Sequence, residues 1–146
     1  MHHHIKLSDI MTTDLITVHP HDLFTVVDRI FKTHDFHHLP VVKDGQLVGI
    51  ISKSDYRSLF EPLCFFREEL YAFKNKRFFS SLLAENVMTK NVARLHPDDP
   101  ASMAADLFRE NLFHAIPIVD EQEYLIGMVT TFDLINRVYQ QPSMVS

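Results

Sequence analysis

The sequence is short of the residues that build specialised chemistry: in 146 residues there are one cysteine, three glycines and no tryptophan. The single thiol, Cys64, excludes an intrachain disulfide framework and a Cys-based zinc site, and it fits a reducing compartment. With so few glycines there is no Gly-x-Ser-x-Gly elbow, no Walker-type phosphate loop and no dinucleotide-binding glycine pattern. No apolar run approaches the roughly 18 residues that a membrane-spanning helix needs, and the N-terminus lacks the charged-then-apolar layout of a signal peptide, so the cytoplasm is the expected location. Basic residues are outnumbered, 14 to 19, for a formal charge of -5, and no Lys/Arg run occurs. That balance argues against a nucleic-acid partner.

What is present is ordinary globular material, 46% hydrophobic and 23% charged, in a chain long enough to bury about two thirds of its unfolded surface. The 10 histidines raise the question of a metal. His37 and His38 are adjacent, however, and point to opposite sides of a strand, and no His/Cys spacing resembles a structural zinc site, so no metal is expected. Met1-His2-His3-His4 reads equally as native sequence or a tag remnant and is set aside.

The dominant feature is an internal repeat. An offset of 77 positions superimposes Ile10-Met11-Thr12 on Val87-Met88-Thr89, His19-Pro20 on His96-Pro97, Phe36-His37 on Phe113-His114, and Pro40 on Pro117. One extra residue in the second copy then aligns Gly49-Ile50-Ile51-Ser52 with Gly127-Met128-Val129-Thr130, and Asp55 with Asp133. Each copy reads as β-α-β-β-α. Leu15-Ile16-Thr17-Val18 is a short β-rich run, and Leu23, Val26, Val27, Ile30 and Phe31 recur at helical spacing as one buried face. In the second copy Met103, Ala104, Leu107 and Phe108 repeat that face, opened by Asp99 as N-cap and Pro100 at the first helical position. Leu39-Pro40-Val41-Val42 and Leu47-Val48-Gly49-Ile50-Ile51 form a hairpin through Asp44-Gly45. The matching turn across Asp120 to Glu123 lacks the glycine and predicts a looser loop. Short helices follow, Ser54 to about Phe60 and Phe132 to about Tyr139. The expected fold is α/β of the α+β kind, with two β-α-β-β-α units packed about a pseudo-twofold axis, because neither unit can cover its own apolar sheet face.

Met-Thr at the start of each copy, the hydrophobic-Pro-Val strand, and Gly-x-x-[Ser/Thr]-x-x-Asp at the last strand-to-helix junction resemble the CBS (cystathionine-β-synthase-type) domain family, two repeats of which form a Bateman module. The likeness runs from about Leu7 to Val138. It divides the chain into a tail (1–6), a first repeat (7–60), a Phe-rich helical linker (61–84), a second repeat (85–140) and a C-terminal tail (141–146). The resemblance implies a sensor of AMP, ADP, ATP or a related adenosyl ligand, usually dimeric, that has no catalytic cofactor and is not an enzyme.

The residues themselves suit such a ligand. Glycine lets backbone approach a ligand, a hydroxyl can bond a phosphate oxygen, and a carboxylate in the first helical turn can accept both ribose hydroxyls, beside the free N–H groups of a helix start. The plainer alternative is that Ser52 and Asp55, like Thr130 and Asp133, merely cap helices. Carried over from the family by position, one site comprises Gly49, Ser52, Lys53, Asp55, Thr89, Arg94, Phe113 and His114. The other comprises Gly127, Thr130, Asp133, Thr12, Thr17, Phe36 and His37. Arg94 stands where the first copy has Thr17, and Lys53 where the second has Thr131, so the Asp55 site is the more basic and is expected to favour ligands with more phosphate charge. Phe36 and Phe113 suit either adenine stacking or core packing. Phe60 at the end of the first repeat and Phe65, Phe66, Phe73, Phe78 and Phe79 of the linker make this stretch unusually rich in phenylalanine. It covers the module's own core or forms a homodimer interface. A scaffold domain binding a protein partner, with no working ligand site, is the rival function; no nucleophile-base pair supports an enzyme.

Overall fold

The computed structural model describes residues 5–59, 80–110 and 113–140. In chain order the elements are α1 (Leu7–Ile10), α2 (Phe24–Thr33), β1 (His38–Lys43), β2 (Gln46–Ser52), α3 (Lys53–Ser58), α4 (Ala84–Val87), α5 (Ala101–Arg109), β3 (Ala115–Val119), β4 (Leu125–Thr130) and α6 (Thr131–Gln140). The class is mixed α+β, with two antiparallel two-stranded sheets, β1-β2 and β3-β4. Among the described residues no helix is long and apolar enough to cross a membrane. The Phe-rich linker, apart from its last residues, and Cys64 lie outside the described residues.

Residues 16–91 form one compact unit, and residues 1–15 with 92–146 form the other. Each unit therefore joins the helix-and-hairpin body of one repeat to the leading Met-Thr segment of the other.

A lone two-stranded hairpin is marginal in water, and each unit buries its hairpin under helices. In the 16–91 unit, Leu39, Val41 and Ile51 pack with Phe24, Val27 and Phe31 of α2, Tyr56 of α3 and Ala84 of α4. In the other unit, Ile116, Ile118 and Val129 pack with Ala101 and Ala104 of α5 and Leu7 of α1. The turns follow their sequence. Asp44 and Gly45 both take positive φ, 52° and 84°, the two-residue mirror-image turn that fits the twist of a hairpin, and Lys43 pairs with Gln46. The second turn is looser as expected: the Asp120 carboxylate accepts the N–H groups of Gln122 and Tyr124, each at 2.9 Å, and Glu123 has φ 70°.

Four expectations need correction. The run Leu15 to Val18 is not a strand; only Val18 pairs, in a parallel bridge to Val41, with Val18 N–H donating to Pro40 O and Val42 N–H to Val18 O. The next rungs would need N–H groups from Pro40 on one side and Pro20 on the other, and proline has none. Leu95 makes the same single bridge to Ile118, flanked by Pro97 and Pro117. Leu23 is not on the buried face: it precedes α2 and is 45% exposed, while Phe24 takes the core position. Met103 likewise is exposed, and the small residues Ala101 and Ala104 hold that face. Asp99 does not cap α5, whose N-cap is Pro100; its carboxylate instead accepts the N–H of His96 at 2.9 Å.

Candidate functional site

In each unit the leading segment of one repeat pairs with the last strand of the other. Thr12 bridges Met128 antiparallel, through N–H to O bonds of 2.8 and 2.9 Å. Thr89 bridges Ile50 in the same way, with bonds of 2.8 and 3.1 Å. Both short lead helices are seated by a turn of the partner repeat. Leu7 and Ser8 donate to the carbonyls of Asp99 and Pro97, and Ala84 and Glu85 donate to those of Asp22 and Pro20, all at 2.8–3.0 Å. These turns are closed by Asp22 on the N–H of His19 and Asp99 on that of His96. The repeated His-Pro pairs thus belong to structural turns. Asp22 and Asp99 are identical at the same offset of 77, a signal that could have revealed their role.

Gly49 and Gly127 are each closely approached by a methionine of the other repeat. A Cβ on Gly127 would lie 2.5 Å from Met11 Sδ, and one on Gly49 would lie 2.5 Å from Met88 Sδ. The methionine of each Met-Thr lead therefore lies in a notch made by the other repeat's glycine. This seats the following threonine beside the strand-to-helix junction.

At that junction the two copies differ. Thr130 and Asp133 form a reciprocal cap: Asp133 N–H donates to Thr130 Oγ1 at 3.2 Å, and Asp133 Oδ2 accepts Thr130 N–H at 2.9 Å and Thr130 Oγ1 at 3.2 Å. Oδ1 of Asp133 accepts the hydroxyl of Thr12 at 3.3 Å, so a hydroxyl from the first repeat meets a carboxylate from the second. In the other copy Ser52 Oγ accepts Asp55 N–H at 3.0 Å, yet the exposed Asp55 carboxylate makes no side-chain bond among the described residues. The capping alternative accounts for Ser52 and for the Thr130–Asp133 pair; it leaves the Asp55 carboxylate unused.

The remaining residues divide between the units. Gly49, Ser52, Lys53, Asp55 and Thr89 lie in the 16–91 unit, whereas Arg94, Phe113 and His114 lie in the other. Gly127, Thr130, Asp133 and Thr12 share one unit, and Thr17, Phe36 and His37 belong to its counterpart. Phe36 is half-buried against its unit's core with its ring centroid 6.1 Å from that of Phe31, and Phe113 packs on the other core. Thr17, His37 and His114 are exposed. The His37 carbonyl accepts the N–H of Lys53 at 2.7 Å. Arg94 is already paired: its guanidinium bonds Glu123 Oε1 at 2.7 Å and its Nε–H the carbonyl of Val92 at 3.3 Å. Among the described residues no group of three or more His, Cys, Asp or Glu is placed to hold a metal. A shallow hollow lined by His96, Asp98, Asp99, Asp120 and Glu121 is acidic and includes none of the residues carried over from the family.

Comparison with known proteins matches this geometry to one family. The family model of the CBS domain matches residues 7–61 and 84–140. Protein MJ1426 of Methanocaldococcus jannaschii, which is uncharacterized, is 34% identical over 149 residues, covering 88% of this chain and 88% of its own. Homoserine O-acetyltransferase of Methanohalobium evestigatum is 30% identical over 132 residues; the match covers 90% of this chain but only 24% of that enzyme. Among solved structures, the CBS domain pair of protein MJ0100 in complex with 5′-methylthioadenosine and S-adenosyl-L-methionine is 27% identical, with TM-score 0.68 over 94% of this chain and 97% of that one. CBSX2 from Arabidopsis thaliana has TM-score 0.79 at 22% identity, over 95% of this chain and 97% of that one, and shares the fold.

Proposed function

The chain belongs to the CBS domain family, and from that premise we propose that it is a regulatory module that binds an adenosyl ligand, AMP, ADP, ATP or a relative, and performs no chemistry itself. The observation that carries this reading is the meeting of Thr12 with Asp133. A hydroxyl and a carboxylate contributed by different repeats form a polar edge at a helix start, suited to a ribose, and a ligand there would report on how the lead segment is seated. The adenosyl ligands of the MJ0100 domain pair, a relative at 27% identity, support the ligand class. The Asp55 carboxylate, exposed and without a side-chain partner among the described residues, is the counterpart group in the other copy.

Ligand acts by differential affinity: it shifts the protein only as far as it binds one arrangement better than another. We extend the proposal to self-association. Phe132, Ile135 and Tyr139 of α6 are 67%, 55% and 77% exposed at spacings that place them on one helix face, and a monodisperse monomer by light scattering at micromolar concentration would remove this extension.

The ligand proposal is tested by thermal shift against 5′-methylthioadenosine, S-adenosylmethionine, AMP, ADP and ATP. A ligand at 100 times its dissociation constant adds about 2.7 kcal/mol to stability. A flat response across the panel, together with no small molecule released from purified protein in mass spectrometry, leaves the scaffold function instead.

A further inference from the structure

Six methionines occur in the chain, and two of them occupy equivalent places in the two units. Met88 lies against Gly49 and Met11 against Gly127, so closely that a Cβ on either glycine would come within 2.5 Å of the sulfur and within 2.8 or 2.9 Å of Cγ. The gap between sulfur and glycine leaves no room for another atom. Both methionines are only half-buried, so a molecule as small as a peroxide reaches them, and both pack against the core of their own unit. Each immediately precedes the threonine that pairs its lead segment with the other repeat's last strand: Thr12 N–H donates to Met128 O and Thr89 N–H to Ile50 O, both at 2.8 Å. The two other described methionines lie outside this arrangement, Met103 at the surface, 42% exposed, and Met128 buried at 5%.

We propose that Met11 and Met88 are modification sites, at which oxidation of the thioether by a hydroperoxide such as hydrogen peroxide unseats the lead segment. The sulfur lone pair attacks one peroxide oxygen and the O–O bond breaks as the S–O bond forms. The departing hydroxide takes the proton of the sulfur-bound hydroxyl and leaves as water; sulfur gives up two electrons and the peroxide gains them. The product places a polar oxygen on a side chain that had been apolar. Toward the glycine that oxygen has no room, and against the apolar core it forfeits its hydration, so the methionine leaves its notch. A lead helix of four residues is too short to hold its own place, and the pairing at Thr12 or Thr89 loosens with it. The inference goes beyond the nucleotide reading and stands without it, since no ligand enters either the geometry or the test.

The test treats the full chain with graded hydrogen peroxide, reads sulfoxide at each methionine by peptide mass spectrometry, and follows hydrogen exchange of the Thr12 and Thr89 amides by NMR. Met103 should oxidise first, with no effect on either amide. Sulfoxide at Met11 should then speed exchange at Thr12, and sulfoxide at Met88 that at Thr89, by about five- to tenfold. Methionine sulfoxide reductases acting on both epimers should restore the original rates. Met11→Leu, an apolar swap of similar volume, should make Thr12 insensitive to peroxide and leave Thr89 responsive; Met88→Leu should do the reverse. The proposal is overturned if Met11 and Met88 stay reduced when Met103 is fully oxidised, if they oxidise with no change in exchange, or if the change persists in the Met11→Leu/Met88→Leu double variant. A response at one lead alone overturns the assignment at the other. The wild-type peroxide series and its reversal decide the matter even where a leucine variant fails to fold.

Discussion

Asp55 and Asp133 occupy matching positions and differ in what they hold. Asp133 closes a reciprocal cap with Thr130 and accepts Thr12, whereas Asp55 bonds through its backbone, N–H to Ser52 Oγ and carbonyl from the Ser58 hydroxyl, and its carboxylate holds nothing among the described residues. Asp133→Ala should therefore cost about 1 kcal/mol in urea denaturation, the worth of a lost cap and hydrogen bond. Asp55→Ala should stay within about 0.5 kcal/mol of wild type while losing adenosyl ligand at its site by calorimetry. A large stability loss from Asp55→Ala would make that residue structural. The glycines argue in the same way. A Cβ at Gly49 would lie 2.5 and 2.8 Å from Met88 Sδ and Cγ and 3.0 Å from the Thr89 carbonyl, whereas the three contacts at Gly127 are all to the Met11 side chain. A methionine end can swing aside and a paired carbonyl cannot, so Gly49→Ala should destabilise more than Gly127→Ala, by an amount in the overpacking range of about 1–3 kcal/mol. Met88→Ala in the Gly49→Ala background should recover part of the loss, and Met11→Ala should recover more of the loss at Gly127. Equal melting of the two glycine variants would show that the Thr89 carbonyl gives way.

At the scale of elements, legibility tracked the range of the interactions. The Asp44-Gly45 turn is specified by two adjacent residues and formed as expected, and the α2 periodicity located the helix with its buried face displaced from Leu23 to Phe24. The single rungs at Val18 and Leu95 were less legible, because the prolines that stop the ladder act from the partner strand as well as from the same one. The Arg94–Glu123 pair spans 29 positions, and only the unequal hairpin loop hints at it. The Gly-x-x-[Ser/Thr]-x-x-Asp motif was legible as a unit, but its glycine proved to face a methionine of the other repeat, a pairing that self-comparison cannot supply. The lead helices depend on another such pairing. They have only four residues each, too few to hold themselves, and their first N–H groups rely on carbonyls of the Pro20–Asp22 and Pro97–Asp99 turns. Asp99→Ala removes the acceptor that closes its turn and should speed hydrogen exchange at the Leu7 and Ser8 amides, with a global cost of about 1 kcal/mol. Unchanged exchange at those two amides would mean that the turn holds without its carboxylate.

For the molecule as a whole, the exchange of lead segments means that a sequence repeat and a compact unit are different things. Residues 16–91 are contiguous and contain a complete core: the hairpin, α2 and α3 with Ala84, Leu82, Val87 and Met88 packed on them. Residues 7–60, the first repeat as the sequence divides it, keep α1, whose Leu7 and Ile10 pack in the other unit's core, and lack the α4 region that caps their own. A fragment of residues 16–91 should accordingly show a cooperative urea transition followed by circular dichroism, with the amide of Thr89 protected by its bond to Ile50. The 7–60 fragment should show a broad, non-cooperative change, since removing Ala84 and Met88 opens the packed face over β2 and leaves the hairpin with α2 and α3 alone. If instead 7–60 unfolds as sharply as 16–91, the lead segments are accessories to two self-sufficient repeats. Ligand at the Thr12–Asp133 edge would then have no fold-defining contact to act on.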